Sequence, residues 1–132
     1  MIGDDDDDVC VWHMRAYSNR YQFLLASQPT STVHWENEHE ETKAPFDIKL
    51  TSRSGGLSTT VFIEVKTTRS LDRNLFELSL AEFEFAANNP PVEYHIYRVY
   101  GAGAADGAVK ISVVKDPIQL LREGKTKLCM AI

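Results

Sequence analysis

Apolar residues recur first at helical and then at strand intervals along this chain. Val11, Met14, Tyr17, Tyr21, Leu24 and Leu25 share one face of a 3.6-residue repeat, which predicts an amphipathic helix over residues 9–27. Pro29 ends it, because a proline ring clashes with the preceding turn and has no N–H. Val33 and Trp35 alternate with His34 and Glu36, the pattern of a half-buried strand. The polar stretch through Lys43 is a loop or a continuation at a sheet edge. "PFDIKL" predicts a second strand, with Phe46, Ile48 and Leu50 on one face and Asp47 and Lys49 on the other. Beyond the Gly55-Gly56 turn signal, "TTVFIEVKTT" (59–68) predicts a third. Val61, Ile63 and Val65 face one way there, and Phe62, Glu64 and Lys66 the other.

Ser79-Leu80-Ala81-Glu82 matches a capping box, in which the serine caps the helix and the glutamate reaches back. The helix continues through Phe83, Phe85, Ala86 and Ala87 and closes at Asn88-Asn89-Pro90-Pro91. "EYHIYRVY" and "AVKISVV" are β-prone. The "GAGAADG" between them lacks the strand-then-helix context of a dinucleotide loop and is a hairpin connection. Asp116 caps a short last helix with Pro117 in its first turn. The result is one α/β domain over residues 9–132, built on a mixed sheet, after an acidic disordered N-terminus over residues 1–8.

Composition changes this picture little. A chain of 132 residues with 43% hydrophobic and 25% charged residues can bury one core. No apolar run approaches the roughly 20 residues that span a bilayer, and the N-terminus has no basic region of a secretory signal, so no membrane partner is expected. Cys10 and Cys129 lie far apart without metal-type spacing, which fits reduced thiols in a nuclear or cytoplasmic protein. The net charge of -5 comes from Asp4 to Asp8; without that run acidic and basic residues balance at 14 each. Between residues 43 and 73 the sign reverses, with Lys43, Lys49, Arg53, Lys66, Arg69 and Arg73 against Asp47, Glu64 and Asp72. A basic region around a few carboxylates can hold a polyanion without a basic pI.

The third strand carries the chemistry. Glu64 and Lys66 share a face, and a hairpin can set Asp47 beside Glu64. Adjacent, partly buried carboxylates persist when a cation shares them or when one keeps its proton. Mg²⁺ or Mn²⁺ takes such oxygens, and the Val65 carbonyl could complete the set. An ammonium beside the ion can orient a water or steady charge developing on phosphorus. The bland alternative is an ion pair on a solvated sheet face. Ser79 and Glu82 are accounted for by the capping box, and His13, His34, His39 and His95 show no ligand spacing. Tyr94, Tyr97 and Tyr100 either stack on bases or pack within the fold, packing being favoured by their spread over both faces.

Asp followed by Glu-x-Lys on the next strand resembles the PD-(D/E)XK nuclease-like superfamily. "VHWENEHEETKAPFDIKL", "FIEVKTTRS", "FELSLAEFEFA" and "YHIYRVYG" are together similar to the protein NO VEIN C-terminal domain family, over about residues 31–101. The resemblance implies a restriction-endonuclease-like fold, an αβββαβ core with an extra strand and a short C-terminal helix. It implies Asp47 and Glu64 as metal ligands with Val65, and Lys66 as the catalytic lysine. Lys49, Arg69 and Arg73 are the expected phosphate contacts to DNA or RNA. A larger parent chain and a homodimer are further expectations of the resemblance. Related domains often draw another carboxylate from the first helix, but residues 9–27 contain none. Glu36, Glu38 or Glu41 replaces it, or the site is incomplete. The alternative function is therefore a degenerate, non-catalytic interaction or nucleic-acid-binding module.

Overall fold

Among the described residues five strands form one sheet whose spatial order is the order of the chain. The computed structural model describes residues 31–88, 93–103, 109–130 and 132. They form β1 (Ser31–Trp35), β2 (Ile48–Ser54), β3 (Leu57–Thr67), α1 (Leu80–Asn88), β4 (Glu93–Tyr100), β5 (Lys110–Lys115) and α2 (Pro117–Arg122). The expected helix over residues 9–27, the acidic segment 1–8, Asn89 to Pro91 and most of the "GAGAADG" connection lie outside the described residues. An α/β domain with a mixed sheet is thus observed, with two short helices among the described residues.

β1, β2 and β3 are antiparallel neighbours. The turn joining β2 to β3 places Gly55 and Gly56 at φ 58° and 81°. Both values lie in the left-handed region that a tight hairpin turn of this hand demands and that glycine enters without steric cost. β3 and β4 are parallel, because α1 carries the chain back to the start of the next strand. β5 returns antiparallel to β4. α2 is capped as the sequence implies: the Asp116 side chain accepts from the Gln119 N–H at 3.1 Å, and Pro117 stands in the first turn.

One face of the sheet buries Val33, Ile48, Leu50, Ile63, Val65, Tyr97 and Val99 as a single cluster, with Val61 packed against it. Ile63 at its centre is 0% exposed. Each such fully buried aliphatic side chain contributes about 1.5–3 kcal/mol through the water it no longer faces. The opposite face holds an aromatic group under α1. Phe62 meets Phe46 at 4.6 Å and Phe85 at 5.1 Å between ring centroids, and Phe85 meets Tyr94 at 5.9 Å. Phe46 therefore stands on the opposite side from Ile48 and Leu50, which corrects the expected grouping of these three. β2 begins only at Ile48, so the period of two does not reach back to Phe46.

Tyr94, Tyr97 and Tyr100 are all buried, which leaves packing, not base stacking, as their role in this structure.

Candidate functional site

The site begins where the β2–β3 ladder gives way. The Asp47 N–H bonds to the Ile63 carbonyl at 2.9 Å, and the Asp47 carboxylate takes the Val65 N–H at 2.7 Å. A side-chain oxygen here substitutes for a main-chain acceptor, which aims the carboxylate at the carboxyl-terminal part of β3. Asp47 is 7% exposed and Glu64 6% exposed. Tyr94 supports this segment from β4, its hydroxyl donating to the Pro45 carbonyl at 3.0 Å. Burial, and then the carboxylates of Glu64, Glu82 and Asp47, push the Tyr94 phenol well up, so it remains a proton donor. Tyr94→Phe, which deletes that one bond and keeps the ring, is expected to lower stability by about 1 kcal/mol in urea denaturation.

Lys66 joins the two halves of the site. Its ammonium donates to Glu64 Oε1 at 3.0 Å and to Glu82 Oε2 at 2.9 Å, and its side chain is 18% exposed. A solvated ion pair on an open sheet face is thereby excluded. Glu82 belongs to the site as well as to the helix cap, which the capping-box pattern alone does not reveal. The capping box is present, with the Ser79 hydroxyl accepting from the Glu82 N–H at 3.1 Å and Glu82 Oε2 accepting from the Ser79 N–H at 2.9 Å. The same oxygen also binds Lys66, so the cap does not exhaust this side chain. Glu36, Glu38 and Glu41 do not fill the expected third position. Glu36 and Glu38 face His34 and His39, and Glu41 takes the Lys43 N–H.

Three carboxylates and one ammonium thus share a small, poorly solvated volume. Burial first, and the Asp47 charge second, push the Glu64 carboxyl up from an ordinary value near 4.5 to about 9, although Lys66 opposes the shift. Burial disfavours the Lys66 ammonium, but Glu64 and Glu82 more than offset this and hold it above the usual lysine range. The group carries surplus negative charge, which a proton on Glu64 or a cation would relieve. Asp47 and Glu64 are the oxygen donors that a hard ion could use. Among the described residues no three His, Cys, Asp or Glu side chains are arranged to hold a metal ion.

The expected phosphate contacts lie on β2 and on the β3–α1 connection. Lys49 is exposed on β2 and leans over the Phe62 ring at 5.9 Å. Arg69 and Arg73 are exposed on the connection between β3 and α1. Among the described residues no helix is long and apolar enough to cross a membrane.

The family model described as Protein NO VEIN, C-terminal, matches residues 14–112, a range that includes every residue of the site. The chain belongs to the NO VEIN C-terminal family. It is 37% identical over 67 residues to Protein NO VEIN-LIKE of Arabidopsis thaliana, a match covering 50% of this chain and 10% of that protein. To Protein NO VEIN of Arabidopsis thaliana it is 28% identical over 109 residues, covering 82% of this chain and 4% of that protein. The chain thus spans a small part of these relatives. No solved structure matches it. The residues of the family match that meet in space are Asp47, Glu64, Lys66 and Glu82.

Proposed function

We propose that this domain, as part of a larger protein, binds nucleic acid and cleaves phosphodiester bonds with a divalent cation, in the manner of the PD-(D/E)XK superfamily. The carrying observation is the buried group itself: Asp47 and Glu64 crowd each other, and Lys66 lies 3.0 Å from Glu64. Such crowding is costly for the fold alone, and replacing a buried ionic group by apolar residues is often neutral or stabilising. It is useful where a cation must be attracted.

The donor set fits Mg²⁺ or Mn²⁺ in type and charge, since hard cations prefer carboxylate oxygen and surplus negative charge. Asp47 and Glu64 would hold the ion, with the Val65 carbonyl the third donor. The ion would lower the pKa of a bound water and polarise the phosphoryl oxygens. Lys66 then has two duties for which an ammonium suits: orienting the attacking water and countering charge on the phosphorus centre. Glu82 fixes the direction of that ammonium by holding it from the α1 side.

The experiment is cleavage of labelled single- and double-stranded DNA and RNA in Mg²⁺ or Mn²⁺, by wild type, Asp47→Asn and Lys66→Ala. Cleavage by the wild type is expected to fall by at least about 100-fold in each variant, with cooperative unfolding retained. No cleavage by the wild type, together with no heat of Mg²⁺ binding, sinks the catalytic reading. One observation favours a second reading, a non-catalytic nucleic-acid-binding module: Lys66 is already held by two carboxylates, and no three metal-ligating side chains converge among the described residues. Salt-dependent affinity unchanged by EDTA and by Glu64→Gln would support that module.

A further inference from the structure

Arg98, on β4, is a buried charge with uncharged partners. It is 4% exposed. Nη1 donates to the Thr67 carbonyl at 3.0 Å, Nε and Nη2 to the Arg73 carbonyl at 3.3 and 2.9 Å, and Nη2 also to the Leu75 carbonyl at 3.3 Å. The rings of Phe76 and Tyr100 flank the guanidinium at 5.4 and 5.6 Å. Among the described residues every hydrogen-bond and ring partner of Arg98 is neutral. Carbonyl dipoles and ring faces solvate a guanidinium without cancelling its charge. Burial, with the Arg73 charge as a smaller cause, pulls its pKa down, but an arginine stays charged in a protein.

These bonds fix one stretch of chain, the connection over residues 68–79. Other main-chain bonds reinforce them: Thr68 N–H to the Val99 carbonyl at 2.8 Å and Gly101 N–H to the Ser70 carbonyl at 3.0 Å. The Tyr100 hydroxyl holds Asn74 at 2.8 Å. A connection without helix or strand is therefore tied down from below, and Arg73 is exposed on it. Asp72 and Glu77 are the opposing charges on the same stretch, against Arg69 and Arg73, and Asp72 accepts from the Ser70 hydroxyl at 2.8 Å. The connection leaves the carboxyl end of β3 just past Thr67, the residue after Lys66.

We propose that Arg98 is the positioning residue of a phosphate-docking surface on the β3–α1 connection. It fixes the main chain of Arg73 and lends an unneutralised positive charge from beneath, so that Arg73 meets the phosphate backbone of a nucleic acid. This rests on the nucleic-acid reading above but not on cleavage.

The test is fluorescence anisotropy of a labelled single-stranded oligonucleotide with the full chain in EDTA, across a salt series. Arg73→Glu, a surface change, is expected to weaken binding by about tenfold and to lower the slope of log affinity against log salt by about 1. Arg98→Gln is expected to weaken binding by about tenfold while the heat of Mg²⁺ binding stays at the wild-type value, a split that a general loss of structure would not produce. If Arg98→Gln does not fold, Arg98→Lys takes its place; it keeps the charge, loses the fork, and is expected to bind several-fold more weakly. Wild-type affinity in Arg73→Glu overturns the docking surface, and wild-type affinity in a folded Arg98 variant overturns the role of Arg98. Cleavage in Mg²⁺ without affinity in EDTA overturns this proposal alone. Affinity without cleavage overturns only the catalytic reading.

Discussion

Lys66→Met is expected to cost about 3 kcal/mol of stability at pH 8 and to abolish cleavage. Methionine keeps all but the last atom's length of the side chain and removes the charge. Glu82 would then lose its ion-pair partner, and Glu64, which keeps its proton at this pH, the ammonium 3.0 Å away, and breaking a buried pair by removing one partner typically costs 3–5 kcal/mol. The partial exposure of Lys66 places the expectation at the lower end. Guanidinium denaturation at pH 8 checks it. A denaturation midpoint at pH 8 equal to that of wild type would mean that the group is solvated and loosely coupled.

Glu64→Gln is expected to act in the opposite direction. An acid whose carboxyl is raised to about 9 holds its proton more tightly in the folded chain than in the unfolded one, where it titrates near 4.5. The folded state then carries the extra proton between those values, and stability falls as pH rises through that window. Glutamine has no proton to lose and keeps an amide oxygen for Lys66. The variant should match wild type near pH 4.5 and exceed it by about 1–3 kcal/mol at pH 8. Millimolar Mg²⁺ should close the gap by stabilising wild type alone. A variant less stable than wild type at pH 8 would show that the Glu64 anion stabilises the fold and that the site holds no surplus charge.

Much of this site was legible in the residues. A period of two put Glu64 and Lys66 on one face of β3, and Gly55-Gly56 closed the hairpin that brings Asp47 beside them. The helix caps at Ser79 and Asp116 were equally readable, because capping is local chemistry. Glu82 gives no local sign of the site, since the capping box already satisfies it and nothing nearby in the sequence points to Lys66. A signal did exist. In a strand–helix–strand crossover the helix starts at the carboxyl end of its strand, so a first-turn acid after β3 has Lys66 within reach. Phe46 takes the other face because the alternation of two begins only with β2 at Ile48. Arg98 gave no signal, for one arginine in a β-prone run says nothing about a connection more than 20 residues upstream in the chain.

A crystal structure of the chain soaked in Mn²⁺, with data collected at the manganese edge, decides whether Asp47 and Glu64 form a cation site worked by Lys66. An anomalous peak within about 2.0–2.3 Å of oxygens from both Asp47 and Glu64, lost in Glu64→Gln, is the expected result. A map with no peak there at millimolar Mn²⁺, and with Lys66 still bridging Glu64 and Glu82, would contradict it.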